Sequence, residues 1–468
     1  MPSQVVTEDR GSEVLPGRAL PYRPYLDGLR AVAVYLVVAF HAGLGLFSGG
    51  FIGVDIFFVL SGFLVTRILM RDLASLGRIR WRQFYSRRVR RILPAALVAL
   101  VVTALVYSIV ATPAELLDAL GGFRAAFFYV ANWFFIRQST NYFAANVNSS
   151  PVLHFWSLAI EEQFYLVWPL LLGGLYVATR RAGRRRWWVV RAVVVVAAAA
   201  SASAALHLGS TNIDRAYYGT DTRAYELLAG AVLALTPQLL RLGPRSRTLA
   251  RWISVLTLGG LLVLATSVFD MSPITRGVLV AGLAPVLIIA LENARRGFAR
   301  GVLSSSPFTY LGRISYGTYL WHWPVIVIVA HGHDPSPVEM FAISATTATA
   351  LAALSFHLIE HPIRAARTLD RFKAPVIAIG FATSILVGAL AMPAILDSGT
   401  GPVGALAGSQ SRSGLRLLDW RVAKNDIPDL PDCLGAPVSH CTVAKGNGKR
   451  VLLIGDSNAR MWIPTFTE

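Results

Sequence analysis

Residues 25–61 read YLDGLRAVAVYLVVAFHAGLGLFSGGFIGVDIFFVLS and place Arg30, His41 and Asp55 in or beside sequence apolar enough to span a membrane. Arg30 and His41 are 11 residues apart, so on an α-helix they share one face, about 16 Å apart along the axis. An ionisable group in hydrocarbon costs roughly 2.5–3.5 kcal/mol and normally faces a protein interior or a wet cavity. A lone histidine would fit hydrogen-bonded packing equally well, but the three residues together favour the wall of an internal reaction chamber.

The composition is that of a polytopic membrane protein. Of the 468 residues, 54% are hydrophobic and 15% are charged, and the mean hydropathy is +0.53. A net charge of +18 could indicate a nucleic-acid partner. The arginines, however, lie on alternate loops between apolar segments, as the positive-inside rule requires, so we expect membrane lipids and no nucleic acid as partners. The polar, proline-containing residues 1–24 argue against a cleaved signal peptide.

Apolar segments suited to membrane-spanning helices lie at residues 30–47, 51–70, 93–112, 154–177, 188–207, 223–240, 252–268, 276–291, 316–331, 338–358 and 374–396. Arginine clusters follow the second, fourth, sixth, eighth and tenth of these segments. The expected localisation is therefore the plasma (inner) membrane, multi-pass, with residues 1–24 as a cytoplasmic tail and the chain after about 397 outside the cell. Residues 122–136 are also apolar, but 15 residues of helix reach only about 22 Å, which predicts a re-entrant or interfacial segment.

The C-terminal residues have a different composition. Residues 397–450 are rich in Gly, Ser and Pro and are predicted to be an extracytoplasmic linker. Cys433 and Cys441 lie in this linker, where a disulfide is the expectation and a free pair the alternative; no metal site is expected. In residues 451–468, a short apolar run followed by Gly455, Asp456 and Ser457 predicts a strand that delivers a serine to a turn. An α/β domain needs on the order of 100 residues, so only its first strand is expected here.

The segment HFWSLAIEEQFYLVWP, residues 154–169, carries two adjacent acids. His154 and Glu161 share a helix face, whereas Glu162 is turned aside by about 100°. A carboxylate can orient an imidazole and raise its basicity. We hypothesise that Glu161 or Glu162 contacts His41 and makes it a general base; the alternative is that the acids only hold helices together.

Between Arg71 and Arg91 there are eight arginines and one acid. Anionic lipid and topology alone explain a basic loop, but guanidinium groups also pair with the phosphates of a cytosolic cofactor; the candidates are Arg87, Arg88, Arg90 and Arg91. His322, in ISYGTYLWHWP, could line the cofactor side or only hydrogen-bond a neighbour.

A further cluster of polar side chains suits either sugar recognition or a solvated cap. Its members are Tyr217, Tyr218, Asp221, Arg223 and Glu226. Arg223 and Glu226 are spaced to form an ion pair on one helix face.

Six motifs occur in this order along the chain: YRPYLDGLRAVAV followed by FH, GGFIGVDIFFVLSGFL, RRVRRILP, HFWSLAIEEQFYLVWP, YYGTDTRAYELLAG and ISYGTYLWHWP. With these motifs the chain resembles bacterial membrane acyltransferases of the acyltransferase-3 family, in the subclass fused to an extracytoplasmic SGNH domain. The resemblance implies an all-α membrane fold with a ten-helix core at residues 25–372 and an eleventh helix at 373–396 that exports the α/β SGNH domain. It also implies that Arg30 and His41 are essential, that residues 87–91 handle acyl-CoA, and that Asp456 and Ser457 form an SGNH catalytic block.

The expected function is an acyl-CoA-dependent O-acyltransferase that moves an acetyl or succinyl group across the membrane onto a cell-envelope polysaccharide. His41, supported by Arg30 and a carboxylate, would deprotonate the acceptor, with Asp55 in the same chamber. The acceptor at that step could be the sugar hydroxyl or a tyrosine within residues 217–225. The alternative is a transporter that exports an acylated lipid or sugar along the same buried charges.

Overall fold

The computed structural model describes residues 22–138, 140, 142, 150–241, 243, 246–294 and 296–396, and within these ranges the chain is helical without any strand. The α-helices are α1 (Pro24–His41), α2 (Ile52–Leu76), α3 (Trp81–Val110), α4 (Pro113–Phe127), α5 (Ala131–Arg137), α6 (Phe155–Ala178), α7 (Arg186–Gly209), α8 (Ile213–Tyr218), α9 (Thr220–Leu235), α10 (Arg247–Leu264), α11 (Pro273–Asn293), α12 (Phe298–Leu303), α13 (Ser306–Gly332), α14 (Pro337–Ser355), α15 (His361–Ala365), α16 (Lys373–Leu386) and α17 (Met392–Leu396). Short 3₁₀ or π-helical turns lie at Gly45–Phe47, Thr179–Arg185, Pro237–Leu240, Phe356–Glu360, Arg367–Asp370 and Val387–Ala391.

Seven of the described helical segments are long and apolar enough to cross a membrane: α2, α3, α7, α10, α11, the segment from α14 to α15 and the segment from α16 to α17. The all-α polytopic membrane fold predicted from the sequence is thereby confirmed. The other four predicted spans coincide with α1, α6, α9 and α13. These four helices carry most of the polar candidate residues, with Asp55 on α2 and residues 87–91 on α3. Helix α1 packs against α2 and α13, and α9 packs against α2 and α6, so Arg223, Glu226 and His322 are buried inside the protein.

Helices α2 and α9 approach each other closely because each presents a glycine to the other. A Cβ on Gly62 would overlap the carbonyl oxygen of Leu227, and a Cβ on Gly230 would overlap that of Val59. Small residues allow membrane helices to come into backbone contact. This contact places Asp55 of α2 next to Arg223 of α9, and both side chains are buried.

Residues 122–136 do not form one continuous helix. The chain breaks between α4 and α5, where Tyr129 has φ +54°. The carbonyl of Phe127 accepts a hydrogen bond from Ser384 Oγ (2.7 Å), and that of Tyr129 accepts one from Gln163 Nε2 (2.9 Å). Irregular backbone at membrane depth is tolerated only where protein groups satisfy it. The break therefore agrees with a segment that does not span, while its re-entrant path stays a prediction.

Several predicted features lie outside the described residues. They are most of the N-terminal tail, the linker from residue 397, the Cys433–Cys441 pair, and Asp456 and Ser457 with the predicted start of the SGNH domain.

Candidate active site

His41, the last residue of α1, uses both ring nitrogens in hydrogen bonds. Its Nδ1 lies 2.9 Å from Nε2 of His322, and its Nε2 lies 2.7 Å from the hydroxyl of Tyr142. The ring of Trp323 packs against the His41 ring with centroids 4.7 Å apart, and Phe40 lies at 5.2 Å. His41 therefore sits among aromatic rings with a hydroxyl at one nitrogen.

For neutral imidazoles, the hydrogen bonds define the tautomers of both rings. His322 Nδ1 lies 2.6 Å from the backbone carbonyl of Tyr319, and since a carbonyl only accepts, Nδ1 donates. His322 Nε2 is then the acceptor, and His41 Nδ1 must donate to it. The Nε2 of His41 is left with a lone pair directed at the hydroxyl of Tyr142. This is the arrangement of a base that can take a proton from a hydroxyl group.

The predicted contact between His41 and a carboxylate is wrong. Glu161 instead accepts hydrogen bonds from the hydroxyls of Ser61 and Tyr165. Glu162 Oε1 is buried without a hydrogen-bond partner among the described residues. Helical periodicity predicted that Glu161 shares a face with His154, but it could not tell which helix that face would meet. The group bonded to His41 Nδ1 is His322, for which the sequence left two roles open, lining the cofactor side or only bonding a neighbour.

A second part of the site is a cavity that we call the arginine cavity. Its volume is about 760 Å³, counting its opening. Arg30, Arg88 and Arg91 line it together with Glu161, so three cations face one acid. The Nε of Arg30 has no hydrogen-bond partner among the described residues. Apolar and hydroxyl side chains complete the wall: Val54, Phe57, Phe58, Leu60, Ser61, Leu64, Ile92, Ser157, Leu158, Tyr165, Ser315, Tyr316 and Tyr319.

His41 and His322, bonded to each other, form what we call the histidine pair. The arginine cavity and the histidine pair meet at Tyr319. The Tyr319 side chain lines the cavity, and its ring centroid lies 5.2 Å from that of His322. Its backbone carbonyl is the acceptor for His322 Nδ1. Arg30 and His41, which the sequence placed on one face of α1, therefore mark the two parts of one site.

The four arginines of RRVRR separate into different environments. Arg88 and Arg91, three residues apart, line the arginine cavity, and the guanidinium of Arg88 lies 4.3 Å from the Tyr165 ring centre. Arg87 is exposed. Arg90 donates to the carbonyls of residues 363, 364 and 366 at 2.7–3.0 Å and forms an ion pair with Asp370 at 2.7 Å. Arg90 thus donates hydrogen bonds to the unpaired backbone carbonyls at the end of α15, and it is not available for a phosphate group. Its position on α3 directs it away from the cavity.

Asp55, Arg223 and Glu226 form a fully buried triad. Arg223 pairs with Asp55 across α2 and α9, and its Nη1 lies 3.3 Å from Glu226, as the i, i+3 spacing predicted. All three side chains have zero exposure. The triad does not touch the His41 ring nitrogens. The three side chains thus form a buried group of paired charges, while the roles of Asp55 in catalysis and of Arg223 and Glu226 in sugar binding stay predictions.

Tyr217 and Tyr218, which precede Arg223 in the same motif, pack against the ring of Tyr142, whose hydroxyl faces His41. The Tyr217 ring stacks on Tyr142 with centroids 4.9 Å apart, and Tyr218 meets Tyr142 edge to face at 6.1 Å. The guanidinium carbon of Arg223 lies 4.7 Å from the Tyr217 ring centre. Asp221 is more exposed and pairs with Arg215 at 2.8 Å. The motif therefore contributes packing to the site, while Asp221 lies at its rim.

Sequence reasoning missed Tyr142 and Tyr319. Tyr142 lies in a polar stretch of sequence without hydrophobic periodicity, and no signal in that stretch marks it as a site residue. Tyr319 is one aromatic residue among several in ISYGTYLWHWP. It contacts His154 across a separation of 165 residues, and nothing in the local sequence of either segment indicates that contact.

A family model described as an acyltransferase domain matches residues 23–357. The chain belongs to that acyltransferase family. The match covers the helices that carry the histidine pair and the arginine cavity, so these features lie within the acyltransferase domain. This match confirms the family that the sequence motifs predicted.

Two curated proteins show what this chain is similar to. The peptidoglycan O-acetyltransferase OatA of Listeria monocytogenes (strain EGD-e) is 36% identical over 360 residues, which is 75% of this chain and 57% of that protein. The O-acetyltransferase OatA of Staphylococcus aureus (strain MRSA252) is 33% identical over 387 residues, 80% of this chain and 62% of that protein. The chain thus spans less than two thirds of the length of these relatives. No solved structure matches the chain.

Proposed function

We propose that this acyltransferase transfers an acetyl group from acetyl-CoA, bound at the arginine cavity, to the hydroxyl of a cell-envelope polysaccharide. The observation that carries the proposal is the lone pair of His41 Nε2 directed at a hydroxyl 2.7 Å away. The names of the two relatives support O-acetyl transfer, and the Listeria name supports peptidoglycan as the acceptor.

The arginine cavity supports acyl-CoA as the donor. Guanidinium groups pair with phosphates, and Arg30, Arg88 and Arg91 face a space whose walls are largely apolar. Such walls suit the pantetheine arm, and the cations suit the phosphates. The positive-inside rule favours the cytoplasm for this side, where acyl-CoA is made. The acceptor would then be reached from the opposite side, near Tyr142 and residues 217–226.

In the proposed step, Tyr142 marks the position of the hydroxyl that is deprotonated. His41 Nε2 takes the proton as the oxygen attacks the thioester carbonyl. The new C–O bond forms, the C–S bond breaks, and the thiolate of CoA leaves and takes up the proton from the imidazolium. His322 holds the ring through Nδ1 during this transfer. General-base assistance contributes typically about 10²–10⁴-fold.

The surroundings of His41 favour acetyl over succinyl. The rings next to it belong to Phe40, Tyr142, His322 and Trp323. A terminal carboxylate next to these uncharged rings would lose its hydration without gaining a cation. A small neutral acyl group carries no such cost.

The test is release of free thiol from acetyl-CoA by the purified protein in the presence of a soluble peptidoglycan fragment. The wild type should release thiol, and His41→Ala should lose about 100-fold or more of the rate. His207→Ala is the matched control, since His207 is exposed on α7, and it should retain the rate. A wild type that binds acetyl-CoA without releasing thiol would overturn the proposal and favour a carrier.

A further inference from the structure

Helix α13 contains Pro324 one residue after Trp323 in the WHWP sequence. Proline has no backbone N–H, so the carbonyl of Leu320, four residues earlier, lacks its helical donor. His154 Nε2 lies 3.1 Å from this carbonyl oxygen. A carbonyl can only accept, so His154 Nε2 donates and replaces the missing backbone N–H.

The contact between His154 and α13 is reciprocal. The hydroxyl of Tyr319 donates to the backbone carbonyl of His154 at 3.0 Å and also lies 2.6 Å from Ser157 Oγ. Residues 319 and 320 are therefore both tied to the start of α6. His154 and His322 are 1% and 0% exposed, so both rings are shielded from bulk solvent.

This contact lies directly against the histidine pair. The Tyr319 carbonyl accepts from His322 Nδ1 at 2.6 Å, and the His154 and His322 rings meet edge to face with centroids 5.5 Å apart. Any movement of residues 319 and 320 moves the carbonyl that defines the His322 tautomer. His322 Nε2 would then no longer be held as the acceptor for His41 Nδ1.

We propose that Pro324 and His154 are positioning residues for the general base His41, an inference that rests on the proposed function. Pro324 leaves the Leu320 carbonyl free, His154 occupies it, and the resulting contact between α6 and α13 holds His322 in the tautomer that His41 requires. Neither residue touches the reacting atoms. Their effect reaches the reaction through His322.

The test changes His154, which donates to the Leu320 carbonyl, and Pro324, which leaves that carbonyl without its helical donor. Pro324→Ala restores a backbone N–H that competes with His154 for the Leu320 carbonyl. His154→Leu removes the donor, whereas His154→Gln keeps an amide N–H close to the position of Nε2. Pro285→Ala is the matched control, because Pro285 also lies inside a helix, α11, away from the histidine pair.

Thiol release from acetyl-CoA is measured for each variant, as kcat and KM. We expect Pro324→Ala and His154→Leu to lose roughly tenfold or more of kcat with KM within about twofold, since Arg30, Arg88 and Arg91 of the donor cavity are unchanged. His154→Gln should recover part of kcat, and Pro285→Ala should match the wild type. If Pro324→Ala does not fold, the Leu and Gln variants at position 154 decide alone. Wild-type kcat in both Pro324→Ala and His154→Leu would overturn the inference.

Nitrogen-15 spectra of protein labelled at histidine give a readout independent of activity. The signal that disappears in His322→Gln identifies His322, and in the wild type it should report the Nδ1–H tautomer. In Pro324→Ala it should shift to mixed tautomers. An inactive wild type would overturn the proposed function alone, and the spectra would still decide the positioning role, since an unchanged His322 signal in Pro324→Ala contradicts it.

Discussion

His41 Nδ1 donates to His322 Nε2 over 2.9 Å, joining two side chains that are 281 residues apart in the sequence. A carboxylate usually holds the second nitrogen of a catalytic imidazole. Here a neutral ring holds it, and a backbone carbonyl in turn holds that ring. A second imidazole avoids the desolvation cost of a buried carboxylate while still defining the tautomer of the base.

Replacing His322 tests this relationship. His322→Leu removes the acceptor for His41 Nδ1, so we expect kcat for acetyl transfer to fall by about 10²-fold or more. His322→Gln places an amide oxygen close to the position of Nε2 and should retain more activity than the leucine variant. Equal activity of the two variants in the thiol-release assay would show that the hydrogen bond does not matter.

Replacing Arg91 tests the donor site. Arg91→Gln should raise KM for acetyl-CoA roughly tenfold with little change in kcat, because a hydrogen bond to a charged group contributes about 1.5 kcal/mol or more. Arg87→Gln is the control, since Arg87 is exposed and outside the cavity lining. The same KM increase in both variants would indicate a general effect of charge and not the arginine cavity.

Replacing Arg90 should affect stability and not donor binding. Arg90→Ala leaves the carbonyls of residues 363, 364 and 366 without their donor, and we expect a loss of about 2–4 kcal/mol in the free energy of unfolding. Asp370→Asn should cost less than about 1 kcal/mol, because Asp370 is 63% exposed. Thermal unfolding in detergent measures both, and a raised KM with unchanged melting in Arg90→Ala would contradict the assignment.

Replacing Arg223 should destabilise the fold strongly. Arg223→Met leaves Asp55 and Glu226 buried without their cation, and we expect a loss of about 3–5 kcal/mol in the free energy of unfolding. Adding Asp55→Asn and Glu226→Gln to Arg223→Met removes all three charges together and should recover part of that stability. Thermal unfolding in detergent compares the single and triple variants. Melting of Arg223→Met at the wild-type temperature would show that the triad contributes no stability.

Topology provides a further prediction. A reporter fused after Gly183 should register in the cytoplasm, because the arginines of residues 180–186 follow the fourth predicted span. A reporter fused after Leu396 should register outside the cell. Periplasmic or surface activity of the Gly183 fusion would mean that α4 and α5 together cross the membrane.

The membrane class, the helical fold and the family were determined by the sequence itself, because the length of an apolar run and the motifs in it are local properties. The same holds for the i, i+3 pairing of Arg223 with Glu226 and for the shared face of Arg30 and His41. Which helix each polar face would meet was decided only by the tertiary structure. His41 forms hydrogen bonds with His322 and Tyr142 and not with Glu161. Arg90 donates to a backbone carbonyl outside the cavity that Arg88 and Arg91 line. Periodicity specifies the direction of a side chain about its own helix axis, whereas its partner depends on how helices far apart in the chain pack together.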